Sequence, residues 1–158
     1  MSGVAAQPSA YPETERGWGL RLPPGYNPPA LAMARQWAEE SQGDPRRIAE
    51  RALTHFRTEA FGYSLAAPQT GRNSVDDFLF QTRIGCCEHY ASAFPFLMRA
   101  AGVPARVVTG YHGGYLNPFD DHMIVRNSDA HAWAEILIPE LGWLRVDPTA
   151  AVAPERID

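Results

Sequence analysis

The stretch that decides the fold runs from Cys87 to Tyr111 and reads CEHYASAFPFLMRAAGVPARVVTGY. Residues 87–101 are almost continuously apolar, which is typical of a helix buried at the centre of a domain. Gly102 and Pro104 then end the helix. Apolar and polar side chains alternate from Ala105 onward, and this period of two predicts a strand over residues 105–111.

Helices are predicted before this stretch and strands after it. One helix begins at prolines 28–29 and runs through Trp37, and a second has Asp44 as N-cap and Pro45 as its first residue. A short helix begins at Ser74, and Pro95 should kink the central helix or confine its regular part. Strands are predicted at 123–126, 131–138 and 143–147. Helices followed by an antiparallel meander give an α+β domain.

Composition limits what this chain can be. With 158 residues, of which 45% are hydrophobic and 20% charged, it is expected to fold as one domain. Residues 1–30 are rich in proline and predict a surface arm or linker, docked through Trp18 or Leu20, so residues 31–158 form the folded domain.

The formal charge of −4 argues against nucleic-acid and membrane-surface binding. No signal peptide or bilayer-spanning run is recognisable, so the chain as written is expected to be soluble.

Three residues could carry chemistry together. Cys86 and Cys87 are neighbours, which makes them a poor structural disulfide and draws attention to a reactive thiol. Cys87 lies at the start of the central helix, where the helix dipole favours a thiolate. His131 opens one strand and Asp147 ends the next, so they can lie side by side as a base and its orienting carboxylate. In the alternative interpretation all three are structural: a core thiol, a backbone-bonded imidazole and a turn carboxylate.

A resemblance favours the catalytic interpretation. The segments GCCEHYAS (85–92), RAAGVPARVVTG (99–110), SDAHAWAE (128–135) and GWLRVDPT (142–149) strongly resemble the bacterial transglutaminase-like superfamily, in the family's order. The similarity covers residues 34–158 and is greatest to the extracytoplasmic domain of its membrane-anchored members. It implies a papain-like core, with a nucleophile-bearing central helix on an antiparallel sheet. It also implies that Cys87 is the nucleophile, His131 the base and Asp147 the orienting carboxylate, with Cys86 incidental.

The expected reaction is acyl transfer on a protein or peptide amide through a thioester. Attack by a lysine amine would make the chain a protein-glutamine gamma-glutamyltransferase, that is, a transglutaminase. Attack by water would make it a cysteine peptidase or amidase, and a catalytically silent interaction module is the third alternative. The resemblance implies a periplasmic domain of an inner-membrane protein, itself without membrane contact. We expect a monomer that needs no cofactor.

Several other polar residues are expected to have lesser roles. The Cys87 N–H is the first candidate oxyanion donor, and Gln69 and Gln81 are weak candidates for the second. His89 and Glu88 are interpreted as mainly structural. No metal site is predicted, because the polar residues that flank one loop are more typical of a solvated surface; these are His112, Asp120, Asp121 and His122. Trp133 and Trp143 are expected in the core or in a cleft wall.

Overall fold

The computed structural model describes residues 2–3, 17–111, 115–116, 123–124 and 130–154. In chain order its elements are β1 (Ser2–Gly3), α1 (Pro28–Glu40), α2 (Pro45–Thr58), β2 (Gly62–Tyr63), α3 (Ser74–Asp76, continued by a π-helical turn over Asp77–Thr82), β3 (Ile84–Gly85), α4 (Cys87–Ala100), β4 (Ala105–Tyr111), β5 (Tyr115–Leu116), β6 (Met123–Ile124), β7 (Ala130–Ile138) and β8 (Gly142–Val146). A 3₁₀ turn over Pro148–Ala151 follows β8.

The main sheet has four antiparallel strands in the order β1-β8-β7-β4. Strands β4, β7 and β8 are therefore neighbours both in the sheet and, apart from the insertion that holds β5 and β6, along the chain. The predicted strand at 123–126 was expected in this meander. In the structure β6 pairs with β5 in a separate two-stranded ribbon, and residues 125–126 lie outside the described part of the chain. That assignment to the meander was wrong, because a period of two does not reveal which strand is the partner.

Helix α4 lies at the centre of the molecule, between the sheet on one side and helices α1 and α2 on the other. It continues through Pro95, which is buried, so the proline does not confine the helix. The core around it joins all these layers: Trp37, Ile48, Phe56, Phe78, Tyr90, Phe94, Leu97, Ile136, Leu144 and Val146. Helices packed on an antiparallel sheet confirm the α+β prediction.

The starts of the helices are fixed by side-chain hydrogen bonds. The carboxylate of Asp44 accepts the N–H of Arg46, as the predicted N-cap of α2. Asn27 and the buried Asp76 lock α1 to α3: Asn27 Oδ1 accepts the Asp76 N–H at 3.0 Å, and Asp76 Oδ1 accepts the Ala30 N–H at 2.8 Å. Since α3 packs beside the first turn of α4, these bonds help to hold the start of α4 in place.

The segment before α1 contacts the sheet through its backbone. The Gly19 carbonyl accepts the Ala105 N–H at 2.9 Å, at the start of β4. The side chain of Trp18 stays 69% exposed, so it is not the docking residue. The predicted division at residue 30 stays a prediction. In the described part of the chain, no helix has both the length and the apolar character needed to cross a bilayer.

Candidate active site

Cys87 is the first residue of α4, and a tight turn fixes its position. A Cβ atom on Gly85 would lie 2.5 Å from Cβ of His89 and 2.8 Å from Cε1 of Phe78. Only glycine therefore fits between the π-helical turn and the first turn of α4. The close approach determines where the chain enters the helix, and with it where the Cys87 side chain begins.

The neighbouring cysteine, Cys86, has a different environment from Cys87. The N–H of Cys86 donates to Nδ1 of His89 at 3.1 Å, and Cys86 Sγ lies 3.5 Å from the same nitrogen. His89 thus caps the helix, which confirms its predicted structural hydrogen bonding. Both cysteines are free thiols. The Cys86 thiol faces this cap, whereas Cys87 lines a cavity.

The cavity has a volume of about 240 Å³ and lies between the start of α4 and the facing ends of β4 and β7. Seven described residues line it: Cys87, Glu88, Thr109, Gly110, Ala130, His131 and Ala132. The backbone N–H of Ala132 lies close enough to the sulfur of Cys87 to favour its charged form. Because Ala132 directly follows His131 and both line the cavity with Cys87, the sulfur lies beside the strand segment that carries the imidazole.

Burial raises the pKa of the Cys87 thiol above its ordinary value. The Ala132 N–H acts in the opposite direction, and the carboxylates of Glu88 and Asp147 raise the pKa further. Burial thus opposes the thiolate that the helix dipole is expected to favour. A thiol in this environment needs a base before it can act as a nucleophile.

His131 has a buried carboxylate partner. Its Nε2 lies 2.6 Å from Oδ2 of Asp147, and the two side chains are only 4% and 8% exposed. The other carboxylate oxygen, Oδ1, accepts the N–H of Thr149 at 3.1 Å. An ionised carboxylate only accepts hydrogen bonds, so Nε2 carries the proton of the neutral ring. The lone pair then lies on Nδ1, where it can take a proton.

The strand register shows how this pair meets. Ala134 is opposite Val146 in β7 and β8, so Asp147 lies beyond the last pair and the position opposite it is Trp133. His131 lies two residues before Trp133, near the start of β7, and reaches Asp147 diagonally, on the same face of the sheet. The two residues were expected side by side, and the structure brings them together with this offset.

Trp133 is a neighbour of the site that sequence reasoning left undecided between core and cleft wall. Its ring is half-buried and stacks on His131, with ring centroids 6.0 Å apart and planes inclined by 21°. The guanidinium of Arg145 lies 4.2 Å from the centroid of the Trp133 ring. The sequence did contain a signal for the contact between Trp133 and His131. The two residues are two positions apart, and side chains two residues apart on a strand lie on the same face. Trp143 is buried, beneath Arg106.

Other predicted residues lie elsewhere. Gln69 and Gln81 are exposed, and neither is among the described residues that line the Cys87 cavity. The loop residues weighed as metal ligands fall outside the described ranges: His112, Asp120, Asp121 and His122. Within the described ranges, no group of three or more His, Cys, Asp or Glu side chains is placed to hold a metal ion.

Comparison with known proteins identifies relatives of this arrangement. Residues 34–148 match the family model described as the transglutaminase-like superfamily. The chain is 48% identical over 160 aligned residues to a protein-glutamine gamma-glutamyltransferase of Pseudomonas aeruginosa, an alignment that covers 98% of this chain and 24% of that enzyme. It is 38% identical over 102 residues to the uncharacterised protein YebA of Bacillus subtilis, covering 60% of this chain and 14% of YebA.

Solved structures show the same architecture. The periplasmic domain of TgpA from Pseudomonas aeruginosa, bound to ethylmercury, superposes with a TM-score of 0.86 at 49% identity, over 94% of this chain and 53% of that one. A protein of Cytophaga hutchinsonii, provisionally assigned as a cysteine protease, superposes with a TM-score of 0.57 at 20% identity, over 99% of this chain and 49% of that one. The first match gives the fold in detail, and the second shows a shared papain-like fold alone.

Proposed function

The chain belongs to the transglutaminase-like superfamily, and from this premise we propose that it transfers acyl groups through a triad of Cys87, His131 and Asp147. We propose a protein-glutamine gamma-glutamyltransferase activity, with a protein glutamine as the acyl donor and a primary amine as the acceptor. The chain spans about a quarter of the length of the related Pseudomonas enzyme, 24%. Its substrates, its attachment to a membrane-anchored parent and its periplasmic location are therefore parts of this proposal.

One observation carries the proposal. The buried His131–Asp147 pair, at 2.6 Å, lies at the cavity that Cys87 lines from the start of α4. A carboxylate that orients an imidazole beside a thiol is the arrangement that nucleophilic catalysis requires. A histidine with a purely structural role would need one hydrogen bond of this kind. It would not need a thiol in the same cavity.

The first half of the reaction forms the thioester. His131 Nδ1 accepts the thiol proton as the Cys87 sulfur attacks the side-chain amide carbon of glutamine. The N–H of Cys87, one of the helix-start amides without an acceptor inside the helix, is proposed to stabilise the oxyanion. His131 then donates the proton to the leaving nitrogen, the C–N bond breaks, and ammonia departs.

The second half resolves the thioester. A primary amine attacks the acyl carbon, the C–S bond breaks, and His131 moves one proton from the amine to the sulfur. The products are a substituted amide and the free thiol. Asp147 stabilises the imidazolium that forms in both halves while it remains ionised. If water attacks instead, the product is glutamate, and the enzyme acts as an amidase.

The experiment must distinguish transferase, amidase and peptidase activity. The purified domain is incubated with a glutamine-containing, lysine-free peptide and a fluorescent primary amine. Three products are quantified: ammonia, the amine conjugate, and new peptide N-termini. Ammonia release with amine incorporation supports the proposed transferase, and ammonia without incorporation indicates an amidase. New N-termini would indicate a peptidase.

Two cysteine variants supply the matched control. Cys87→Ala should abolish all three products, since alanine favours the helix but cannot form a thioester. Cys86→Ala should retain most of the activity, because Cys86 Sγ contacts the His89 cap. Wild-type protein that forms none of the products on any glutamine peptide tested would contradict the proposed function and favour an interaction module.

A further inference from the structure

A second cavity lies beside the one that contains Cys87. It has a volume of about 210 Å³ and is lined by Thr70, Ser74, Val75, Phe78, Glu88, His89, Ser92 and Ala93. Glu88 lines both cavities. The two therefore form adjacent compartments at the start of α4, with a carboxylate at their junction.

The charges along these compartments have one sign. Glu88 is exposed, and among the described residues it has no hydrogen bond or ion-pair partner in the structure. Among the described residues, the other carboxylate close to Cys87 is that of Asp147, which is bonded to His131. No arginine is among the described residues that line either cavity, and the sequence contains no lysine. Among the described residues that line the two cavities, no arginine balances the charge of Glu88, so this charge attracts an approaching cation.

The second cavity also matches the hydrogen-bonding groups of an ammonium. A primary ammonium has three N–H donors and no acceptor. Glu88 can offer carboxylate oxygens, and two residues that carry hydroxyl groups, Thr70 and Ser92, line the same cavity. Ser92 is four residues beyond Glu88 in α4, so both side chains lie on one face of the helix.

Resting on the proposed function, we propose that Glu88 is a specificity-determining residue that recognises the positively charged amine of the acceptor and guides it through the second cavity to the Cys87 thioester. The acceptor class is a cationic primary amine, such as a lysine side chain. The ammonium releases one proton to solvent before its nitrogen attacks the acyl carbon. The C–N bond then forms, the C–S bond breaks, and the second proton reaches sulfur through His131.

A role of Glu88 in helix stability makes a different prediction. An acidic residue in the first turn favours the helix through the dipole. Its loss would affect every acceptor equally, since the helix start holds Cys87. A role in recognising charge affects cationic acceptors and leaves the relative use of uncharged ones much less changed. The comparison of two acceptors in one variant distinguishes these cases.

The test measures how the thioester is partitioned between amine and water. Because both attack the same intermediate, their product ratio is independent of how fast the thioester forms. The purified domain turns over a lysine-free glutamine peptide with butylamine, a cation at neutral pH, or hydroxylamine, which is uncharged there. Glu88→Gln should lower the butylamine-to-water product ratio by about two- to fivefold, the size expected of an exposed charge pair. Its hydroxylamine-to-water ratio should change less.

Control variants sharpen the result. Glu88→Asp keeps the charge and should retain most of the preference for butylamine. Glu140→Gln removes a charge in the exposed β7–β8 turn and should leave both ratios unchanged. Added salt should reduce the difference between wild type and Glu88→Gln, since it screens exposed charges.

Two results would overturn the inference: the ratios for the two amines fall together in Glu88→Gln, or neither ratio changes. Failure of the proposed function looks different. In that case wild-type protein releases no ammonia, or releases as much as Cys87→Ala, and no partition ratio exists to compare.

Discussion

A Cβ atom on Gly110 would lie only 2.7 Å from Cη2 of Trp133, on the neighbouring strand. Trp133 in turn stacks on His131, and Gly110 is the residue directly opposite His131 in the β4–β7 register. A glycine on β4 thus provides the space in which the tryptophan supports the imidazole. This contact links an edge-strand residue to the proposed base.

Gly110→Ala should therefore reduce activity through His131. The added methyl group displaces the Trp133 ring, and overpacking of this kind costs about 1–3 kcal/mol in stability. We expect a folded protein with turnover at least about tenfold lower, the cost of roughly 1.4 kcal/mol in the barrier. Thermal unfolding and ammonia release measure the two effects. Adding Trp133→Phe, which removes Cη2, should restore part of the activity.

Gly17→Ala is the matched control, because nothing lies within 4 Å of a Cβ atom at that position. It should behave as wild type in both measurements. Unchanged turnover in Gly110→Ala would show that the Trp133 contact does not support the base.

Asp147→Asn should leave a folded protein with greatly reduced turnover. The carboxylate serves two donors, His131 Nε2–H and the Thr149 N–H, and an amide has only one oxygen to offer them. If that oxygen keeps Thr149, the NH₂ group faces His131 and selects the ring form whose proton is on Nδ1, which cannot accept the thiol proton. In serine proteases the corresponding change costs about 10⁴ in kcat.

The rate of ammonia release, with circular dichroism as the test of folding, measures this effect. Turnover of Asp147→Asn within a few-fold of wild type would remove Asp147 from the proposed triad.

His55 should make the fold sensitive to acid. Its Nε2 is buried with no hydrogen-bond partner in the structure, among the rings of Trp37, Phe56 and Phe61. Burial lowers the pKa of His55 below its usual value of 6.5, so the folded state favours the neutral ring. Above that value neither state binds the proton. As the pH falls below it the unfolded chain binds the proton first, and stability decreases.

Urea unfolding at pH 7.5 and pH 5.5 measures this dependence. His55→Phe removes the titrating group and should lose less stability between the two pH values than wild type does. An equal loss in both proteins would assign the acid sensitivity to other groups.

The isolated domain should be unable to build covalent oligomers of itself. All 14 basic side chains are arginines, and a protonated guanidinium cannot replace the amine of lysine. The chain can still donate acyl groups from its own glutamines, which are Gln7, Gln36, Gln42, Gln69 and Gln81. Concentrated protein is incubated with and without a lysine-rich partner and run on a reducing denaturing gel. Apart from reaction at its α-amine, we expect crosslinked species only with the partner.

Ladders that form in the partner-free sample after the α-amine has been acetylated, and that are absent in Cys87→Ala, would contradict this prediction. They would show that a group other than lysine accepts the acyl chain.

The fold was predictable from the sequence because its signals are local and agree with one another. The apolar run from Cys87, the stop at Gly102 and the alternation that follows each define an element without knowledge of its neighbours. The N-cap at Asp44 is equally local. Pairing is not local, and this is why the strand near Met123 was placed in the wrong sheet.

The candidate site was predictable in its residue types but not in its environment. The motifs named Cys87, His131 and Asp147, and the structure places His131 and Asp147 in contact. The net direction of the pKa shift at Cys87 depends on burial by residues far away in sequence, which no local pattern shows. The position of Glu88 between two cavities likewise depends on the tertiary packing of α3 and α4.

The central claim is that Cys87 carries the acyl group, and intact-mass spectrometry of the trapped intermediate tests it most directly. The domain is mixed with a glutamine peptide in the absence of amine, quenched with acid within seconds, and mapped by digestion at low pH. We predict a mass increase equal to the peptide minus ammonia, located on Cys87, removed by hydroxylamine and retained in Cys86→Ala. An adduct located on Cys86, or one that persists in Cys87→Ala, would contradict the account.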